Sequence, residues 1–332
     1  MLYIWIIVFV VSLFILVKSA DWLIASSEKI GLAVGLSPFI VGVTIVALGT
    51  SFPEVVASLA GVFQGVSQIV VANAIGSNIA NILLVVGISA IVGKKLVVTK
   101  SLIDLDLPLL AIGTVLFLGV VWNRTISVAE SILMMVVYII YLMHTFSHRD
   151  KEETQELAEI LPSRQERRKD ILKIKKTQNQ ERPKIVIYDI ILLATGVIGL
   201  VFGAQYLIKS VIVISETMKI ATSVITITAV AVGTSLPELL VSVKAAMKGK
   251  SEVALGNIFG SNVFNLFVVV GLPGIFGTLV VDNQTFFIGL PVLAMATLLF
   301  VISGISRRIH SWEGYFYIAL YVLFIGRLFN WF

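Results

Sequence analysis

The sequence contains no cysteine and only three histidines, His144, His148 and His310. The first absence excludes disulfide frameworks, thiolate metal sites and cysteine nucleophiles. The scarcity of histidine speaks against a zinc site or a histidine proton relay. Charged residues are also scarce, at 14% of 332 residues, compared with about 25% in soluble domains. No catalytic His, paired aspartates or Ser/Lys arrangement appears, so we expect no enzymatic activity.

Hydrophobic residues make up 58% of the chain, more than a soluble core of this size could bury. Apolar runs long enough to cross a bilayer, about 20 residues, recur along the sequence. They predict an all-α, multi-pass membrane protein of about ten transmembrane helices. We expect the first to be a membrane helix rather than a cleaved signal peptide, because no basic residue precedes it. The predicted spans are 2–20, 38–64, 67–92, 104–121, 125–146, 186–208, 220–247, 252–277, 284–304 and 311–330.

One connection, 147–185, is long and densely charged with both signs, which predicts a solvated linker between halves 1–146 and 186–332. With the N-terminus outside, the linker and the inner loops hold 21 Lys and Arg, and the outer ends hold 4. The positive-inside rule therefore predicts extracellular termini and a cytoplasmic linker in the cell membrane. The same rule explains the net charge of +5. We expect the lipid bilayer as partner, no nucleic acid and no obligate protein partner.

The two halves share an internal repeat. Residues 43–87 align with 227–271 without a gap, at a constant offset of 184. The identical positions are mostly polar, Gly or Pro, so the halves share a site and not merely hydrophobicity. Equivalent helices are five crossings apart, an odd number, which predicts two inverted five-helix repeats with a binding site near the midplane. The matches include Thr44/Thr228, Gly49/Gly233, Pro53/Pro237, Ser58/Ser242, Gly65/Gly249, Asn73/Asn257, Gly76/Gly260, Asn78/Asn262 and Gly87/Gly271.

Each repeat interrupts a hydrophobic segment with a GTS-x-PE motif, 49–54 and 233–238. Proline lacks an N–H and clashes with the carbonyl four residues earlier, and glycine weakens a helix. We therefore predict that the second and seventh spans are broken at these motifs. Irregular backbone at membrane depth is tolerated only when it is buried or lines a cavity. Freed carbonyls and hydroxyls are hard oxygen ligands, suited to Na⁺ or Ca²⁺.

Glu54 and Glu238 supply the charge of this site. An acid in a membrane span costs at least about 2.5–3.5 kcal/mol and marks function by default. No basic residue is predicted at the same depth, because Lys244 is expected to extend to the inner surface. A purely structural role would leave two uncompensated charges, so we expect bound cations as the counter-ions. Two carboxylates balance one Ca²⁺ or two Na⁺.

Neutral oxygen donors follow the acids at helical spacing. Asn73, Ser77 and Asn81 share one helix face at i, i+4 and i+8, and Asn257, Ser261 and Asn265 repeat it. Thr50, Glu54 and Ser58 form a second line, matched in the other repeat by Thr234, Glu238 and Ser242. These stripes predict an oxygen cage. Interhelical hydrogen bonding without cation contact remains an alternative for the Asn and Ser residues.

At these residues the chain resembles the sodium/calcium exchanger family, in the segments ALGTSFPE, ANAIGSNIAN, AVGTSLPE and GNIFGSNVFN. The short linker is similar to that of prokaryotic members. The resemblance implies that Glu54 and Glu238 bind Ca²⁺ with backbone oxygens of Thr50 and Thr234. It further implies Na⁺ sites and a centre completed by neighbouring groups, namely the Ala47 and Ala231 carbonyls, Ser51, Ser77, Thr234, Ser235, Ser261, Asn81 and Asn265.

The sequence therefore predicts a secondary antiporter that exchanges Ca²⁺ for Na⁺ by alternating access, without a cofactor. Many relatives of this kind carry Asp where Asn265 stands, and the neutral residue argues against potassium co-transport. A proton-coupled antiporter of Ca²⁺ or another divalent cation is the alternative. A channel, whose flux would require no counter-ion, is a rival of a different class.

Overall fold

A computed structural model describes residues 2–98, 106–160, 183–217 and 235–329. These residues are almost wholly helical, and pairs of two- or three-residue strands join some of the helix ends. The helices are α1 (Leu2–Val34), α2 (Pro38–Thr50), α3 (Phe52–Phe63), α4 (Gln68–Val92), α5 (Leu107–Asn123), α6 (Val128–Ile160), α7 (Ile187–Thr217), α8 (Leu236–Met247), α9 (Ser251–Gly274), α10 (Thr285–Ile305) and α11 (Ser311–Leu328).

Six helices in the described ranges are long and apolar enough to cross a membrane, or seven if the bent pair α2 and α3 counts as one span. A helical, multi-pass membrane protein is thereby confirmed, while the full set of ten crossings remains a prediction. α5 and the described part of α8 are shorter than the roughly 20 residues that a full span needs. The first residues of the predicted spans 104–121 and 220–247 lie outside the described residues.

Three helices run well past their predicted ends, and one of them, α7, continues to Thr217 rather than residue 208. α1 continues to Val34 rather than residue 20, although it contains Lys18, Asp21 and Glu28. Charges end an apolar run without ending a helix, because they leave the backbone hydrogen bonds intact. α6 continues to Ile160, inside the segment predicted as linker.

Local backbone geometry recurs at the repeat offset. Ser51 precedes α3 with φ −89° and ψ 7°, and Ser235 precedes α8 with φ −87° and ψ 8°. Gly65 and Gly249 both adopt a positive φ, 77° and 74°, which glycine reaches without steric cost. Single π-helical turns lie within α4 (Ala80–Val85) and α9 (Asn265–Val269), and such turns are frequent at functional sites.

The short strands pair across the two halves of the chain. β1 (Lys95–Val97) pairs antiparallel with β4 (Arg308–His310), and Leu96 lies opposite Ile309. β2 (Thr125–Ile126) pairs antiparallel with β3 (Leu279–Val280). Each ladder thus joins one half of the chain to the other outside the helices.

α4 and α9 form the centre of the helix assembly. The apolar window of α9 is 100% buried and that of α4 is 72% buried, compared with 17% for α1. Glycines allow α9 to approach α2 closely, since a Cβ on Gly260 would lie 2.3 Å from the Val43 carbonyl oxygen. The most enclosed helices are therefore the two that carry the Asn and Ser stripes.

α1 and α7 pack against each other along their length. Gly196 lies against Leu23, and Gly203 against Leu16, so residue numbers rise on one helix as they fall on the other. The two helices are therefore antiparallel. Their close approach depends on small residues, as is common between membrane helices.

Candidate cation site

The helix break predicted at the first motif occurs at Ser51. α2 ends at Thr50, α3 begins at Phe52, and the axes differ by 43°. Pro53 occupies the first turn of α3, where a missing N–H costs no hydrogen bond. Glu54 follows in the same turn, so the break directs its carboxylate into the protein near a positive helix end.

The second motif has the same local geometry where it is described. Ser235 precedes α8, Pro237 occupies its first turn, and Glu238 follows. Ala231 and Thr234, which we predicted as ligands, lie outside the described residues. A break of the predicted span 220–247 therefore stays a prediction on its N-terminal side.

Both carboxylates are completely buried, with 0% exposure. They lie close enough to repel each other electrostatically. In the described part of the chain, neither forms an ion pair with Lys or Arg, and no third Asp, Glu or His joins them in a metal-binding cluster. Two like charges buried together are costly unless a cation or protons neutralise them.

Ser51 links the first repeat to the acid of the second. Its hydroxyl donates a 2.7 Å hydrogen bond to Oε1 of Glu238 and lies 2.9 Å from the Ser261 hydroxyl. The Thr50 hydroxyl donates to Oδ1 of Asn257 at 3.1 Å and lies 3.4 Å from the Ser261 hydroxyl. Groups from α2 and α9, together with Glu238 of α8, therefore surround one point between the repeats.

Asn73 and Asn257 hold the acid-bearing helices in place by matching hydrogen bonds. Asn73 Nδ2 donates to the Glu54 carbonyl at 3.3 Å and to the Ser58 hydroxyl at 3.2 Å. Asn257 Nδ2 donates to the Glu238 carbonyl at 3.4 Å and to the hydroxyl of Ser242 at 2.9 Å. The sequence placed both Asn residues on the polar stripe, and in the structure their amide nitrogens bond to the acid-bearing helices.

Several buried polar atoms of the predicted ligand residues neither donate nor accept a hydrogen bond of ordinary geometry among the described residues. They are both carboxylate oxygens of Glu54, Oε2 of Glu238, the hydroxyl of Ser235 and the whole side-chain amides of Asn81 and Asn265. Unpartnered polar groups in a protein interior each cost about 1–3 kcal/mol. Most of these atoms are hard oxygens, which are the ligands that Na⁺ and Ca²⁺ prefer.

The described members of the predicted ligand set are all buried, each at most 3% exposed, and hydrogen-bond contacts bring Thr50, Ser51, Glu238 and Ser261 together. Ser77 lies beside the Glu54 carboxylate. The set comprises Ala47, Thr50, Ser51, Glu54, Ser77, Asn81, Ser235, Glu238, Ser261 and Asn265. Sequence spacing predicted these positions, but it could not separate the oxygens that have no hydrogen-bond partner among the described residues from those used in helix contacts.

The structure gives Lys244 partners that the sequence did not indicate, while its predicted extension to the inner membrane surface stays a prediction. The ammonium group donates to Oδ2 of Asp21 at 2.5 Å and to the Val17 carbonyl at 2.7 Å. Asp21 lies 223 residues away in the sequence, so no local pattern indicated the pair.

The fold and this site define a multi-pass helical membrane protein of the ion-transporter class. The family model described as sodium/calcium exchanger protein matches residues 4–147 and 188–330. The chain belongs to the sodium/calcium exchanger protein family, and the resemblance drawn from the two motifs is confirmed.

Relatives cover nearly the whole chain. The sodium/calcium exchanger MaX1 of Methanosarcina acetivorans is 34% identical over 97% of both chains. The putative antiporter CaxA of Alkalimonas amylolytica is 31% identical over 95% of both. A solved structure of the sodium/calcium exchanger from Methanococcus jannaschii superposes with a TM-score of 0.76 at 28% identity, and covers 98% of this chain and 99% of that one.

Proposed function

We propose that this protein is a secondary active antiporter that exchanges Ca²⁺ for Na⁺ at one shared midplane site. The observation that carries the proposal is the buried pair Glu54 and Glu238, which has no basic partner among the described residues and retains oxygens without hydrogen-bond donors there. A transported cation is the counter-ion that such a pair requires.

In this proposal the two carboxylates bind Ca²⁺ together with backbone oxygens of Thr50 and Thr234. Na⁺ occupies flanking positions formed by two matched sets of neutral oxygens. The first set is the Ala47 carbonyl, Ser51 and Ser77, and the second is the Ala231 carbonyl, Thr234, Ser235 and Ser261. Asn81 and Asn265 complete the centre, since their amide oxygens are buried and unpartnered among the described residues.

The proposed architecture has ten spans in two inverted five-helix repeats, 1–146 and 186–332, joined by the cytoplasmic linker 147–185. Two observations support it. Local geometry recurs at the repeat offset, as at Ser51 and Ser235. The first helices of the two halves, α1 and α7, pack antiparallel, as equivalent helices of inverted repeats would. Both termini are then extracellular.

Exchange follows from the electrostatics of a shared site. Ca²⁺ and Na⁺ compete for the same two carboxylates, so they cannot both fill it. Without a bound cation, the two carboxylates would be buried as bare charges in a low-dielectric environment during the change of access. Only the ion-loaded protein can therefore change between the two access states. Transport of the two ions is coupled because the protein, after releasing one ion, must bind another before its site can face the first side again.

The α1–α7 pair is the element we assign to the change of access. Both helices are largely apolar on their exposed faces, and they meet α2 where Gly49 lies against Val197 of α7 and Leu23 of α1. Sliding of this pair past the remaining helices would open the site to alternate sides. Gly49 lies immediately before Thr50 and Ser51, so the pair contacts the segment that carries two proposed ligands.

The deciding experiment measures Ca²⁺ flux in proteoliposomes under imposed Na⁺, H⁺ or K⁺ gradients. We expect Na⁺ alone to drive flux. Glu54→Gln and Glu238→Gln should each reduce it by at least about 100-fold, because each variant removes one of the two negative charges that neutralise bound Ca²⁺, and breaking a buried pair of opposite charges costs roughly 3–5 kcal/mol. Glu252→Gln, at the partly exposed start of α9, is the matched control and should retain flux.

Two outcomes would count against this assignment. Flux driven by a pH gradient without Na⁺ would favour the proton-coupled alternative, in which Ca²⁺ or another divalent cation exchanges for H⁺. Unchanged flux in both Gln variants would remove the two acids from the site.

A further inference from the structure

Three ion pairs join α1 to the C-terminal end of α8 and the turn after it. Asp21 carboxylate oxygens lie 2.5 Å from the Lys244 ammonium and 2.7 Å from the Lys248 ammonium. Glu28 pairs with Lys250. We call these five residues the ionic clasp. It connects one helix of the α1–α7 pair directly to the helix that carries Glu238.

The clasp lies to one side of the cation site. Lys244 is six residues beyond Glu238 on α8, about 9 Å along the helix axis, and Lys248 is one turn further. The positive-inside rule assigns this side to the cytoplasm. A fourth ion pair, between Lys29 and Asp189 at 2.8 Å, ties α1 to α7. The clasp therefore restrains both helices of the α1–α7 pair.

The offset of 184 extends over α1 and α7, as the matches Leu16/Leu200, Leu23/Leu207 and Ser26/Ser210 indicate. At this offset, every member of the clasp corresponds to an uncharged residue. Asp21 and Glu28 correspond to Gln205 and Ile212, and the three lysines correspond to Ala60, Gln64 and Val66. In an inverted arrangement, these neutral residues lie on the other side of the membrane, at the opposite opening of the cation site. Within the described ranges, the ion pairs of the clasp therefore have no equivalent at the repeat-related positions.

The pairs are more than flexible surface contacts. The Lys244 side chain is only 18% exposed, and Asp21 accepts hydrogen bonds from two lysines at once. Lys244 also donates to the Val17 carbonyl, which fixes its position on α1. Separating α1 from α8 would break all of these contacts together in a partly dehydrated region, where attraction between charges is stronger than in water.

We propose that the ionic clasp closes the cytoplasmic opening of the cation site and biases the Na⁺-loaded carrier toward the state that is open to the outside. This inference rests on the proposed alternating-access function. The inverted repeats give the inward-open and outward-open states similar free energies, and the clasp lowers the free energy of the outward-open state. Asp21 is the central residue, because one substitution there removes two of the three pairs.

The absence of cysteine permits a direct test in the full-length protein. Spin labels at Leu32→Cys on α1 and Met247→Cys on α8 lie on exposed residues near the clasp. Pulsed electron-spin spectroscopy on the reconstituted protein in Na⁺ then measures the distance across the cytoplasmic opening. We expect Asp21→Asn to raise the ratio of the long-distance to the short-distance population about three- to tenfold. Lys248→Gln, at a more exposed position, should shift it in the same direction by less.

Controls isolate the charge. Gln205→Asn alters the neutral counterpart position and should leave the populations unchanged. Asp21→Lys combined with Lys244→Asp and Lys248→Asp should restore the short distance. The clasp is refuted if Asp21→Asn and Lys248→Gln both leave the distance populations unchanged, or if Gln205→Asn shifts them as much as Asp21→Asn does.

Failure of the clasp can be told from failure of the proposed function by measuring Na⁺-driven Ca²⁺ flux on the same reconstituted proteins. Suppose that the wild-type protein carries this flux and that its spin-label distances change with Na⁺ and Ca²⁺. If the clasp variants then show the same distance populations as the wild type, only the clasp proposal is wrong. If wild-type protein carries no such flux, the proposed function fails and the clasp inference falls with it.

Discussion

The hydroxyl of Ser51 donates a 2.7 Å hydrogen bond to Oε1 of Glu238, although 187 positions separate the two residues. Ser51 lies at the helix break of the first repeat, and Glu238 is the acid of the second. The helix break therefore positions the Ser51 hydroxyl of one half to donate to the Glu238 carboxylate of the other half. This contact joins the two motifs directly.

We expect Ser51→Ala to weaken Ca²⁺ binding by about ten- to 100-fold, because a hydrogen bond to a charged group contributes roughly 1.5–3 kcal/mol. The measurement is the Ca²⁺ concentration that gives half-maximal exchange. The control is Ser89→Ala, which changes a buried serine on a different helix, α4, and should have little effect. An unchanged half-maximal concentration in Ser51→Ala would mean that the contact does not orient Glu238.

Asn257 should act as a positioning residue, because it bonds the Glu238 carbonyl, Ser242 and Thr50. Asn257→Leu removes these contacts at similar volume. We expect about a tenfold or greater loss of Ca²⁺ affinity, since several buried hydrogen bonds at about 1 kcal/mol each are lost. The Ca²⁺-induced rise in melting temperature separates this role from simple packing, because bound ligand stabilises only a protein that still binds it.

The comparison for Asn257 is Ser242→Ala, which removes one of its partners and should reduce the Ca²⁺-induced rise only slightly. Asn257 would be assigned to packing alone if Asn257→Leu melts at a lower temperature without Ca²⁺ but shows the same Ca²⁺-induced rise in melting temperature as the wild type.

Gly260 should tolerate no side chain. A Cβ there would lie 2.3 Å from the Val43 carbonyl oxygen and 2.7 Å from its Cα, and backbone atoms cannot rotate away. We expect Gly260→Ala to destabilise the protein by about 1–3 kcal/mol and to abolish exchange, because the segment leading to Thr50 would shift. Thermal unfolding and flux measure the two effects. Gly119→Ala, which meets no described atom within 4 Å, should be neutral in both, and equal effects would contradict the packing argument.

Asn265→Asp should add a cation requirement. Asn265 is fully buried, and its amide has no hydrogen-bond partner among the described residues. A third carboxylate there would need another positive charge. We expect Ca²⁺ flux of the variant to depend on added K⁺ or H⁺, with that of the wild type and of Asn265→Gln independent of both. Flux assays at fixed Na⁺ gradients test this, and independence of the Asp variant would exclude Asn265 from the site.

Local chemistry allowed much of the site to be predicted. The break at Ser51 follows from Pro53, which removes a helical donor wherever the chain lies. The repeat distinguished Glu54 and Glu238 from other acids, because polar identity in two membrane segments is seldom accidental. The contacts of Asn73 and Asn257 were not predictable, since spacing defines a helix face and not the groups opposite it.

The ion pairs of α1 were missed for a related reason. Lys244 and Asp21 are 223 residues apart, and their pairing depends on how α1 lies against α8. A lysine near the end of a membrane helix can reach water or a carboxylate at similar cost, so the sequence could not indicate this pair.

The sequence by itself determined the solvent, the repeat, the first helix break and the pair of acids, because hydrophobic length, proline chemistry and buried charge act within one segment. Only the tertiary structure decided that Ser51 contacts the opposite acid, that Asn257 bonds three groups and that Asp21 restrains α8. Those contacts depend on the register of helices distant in the chain. In lipid that register is decided by which small residues permit close approach.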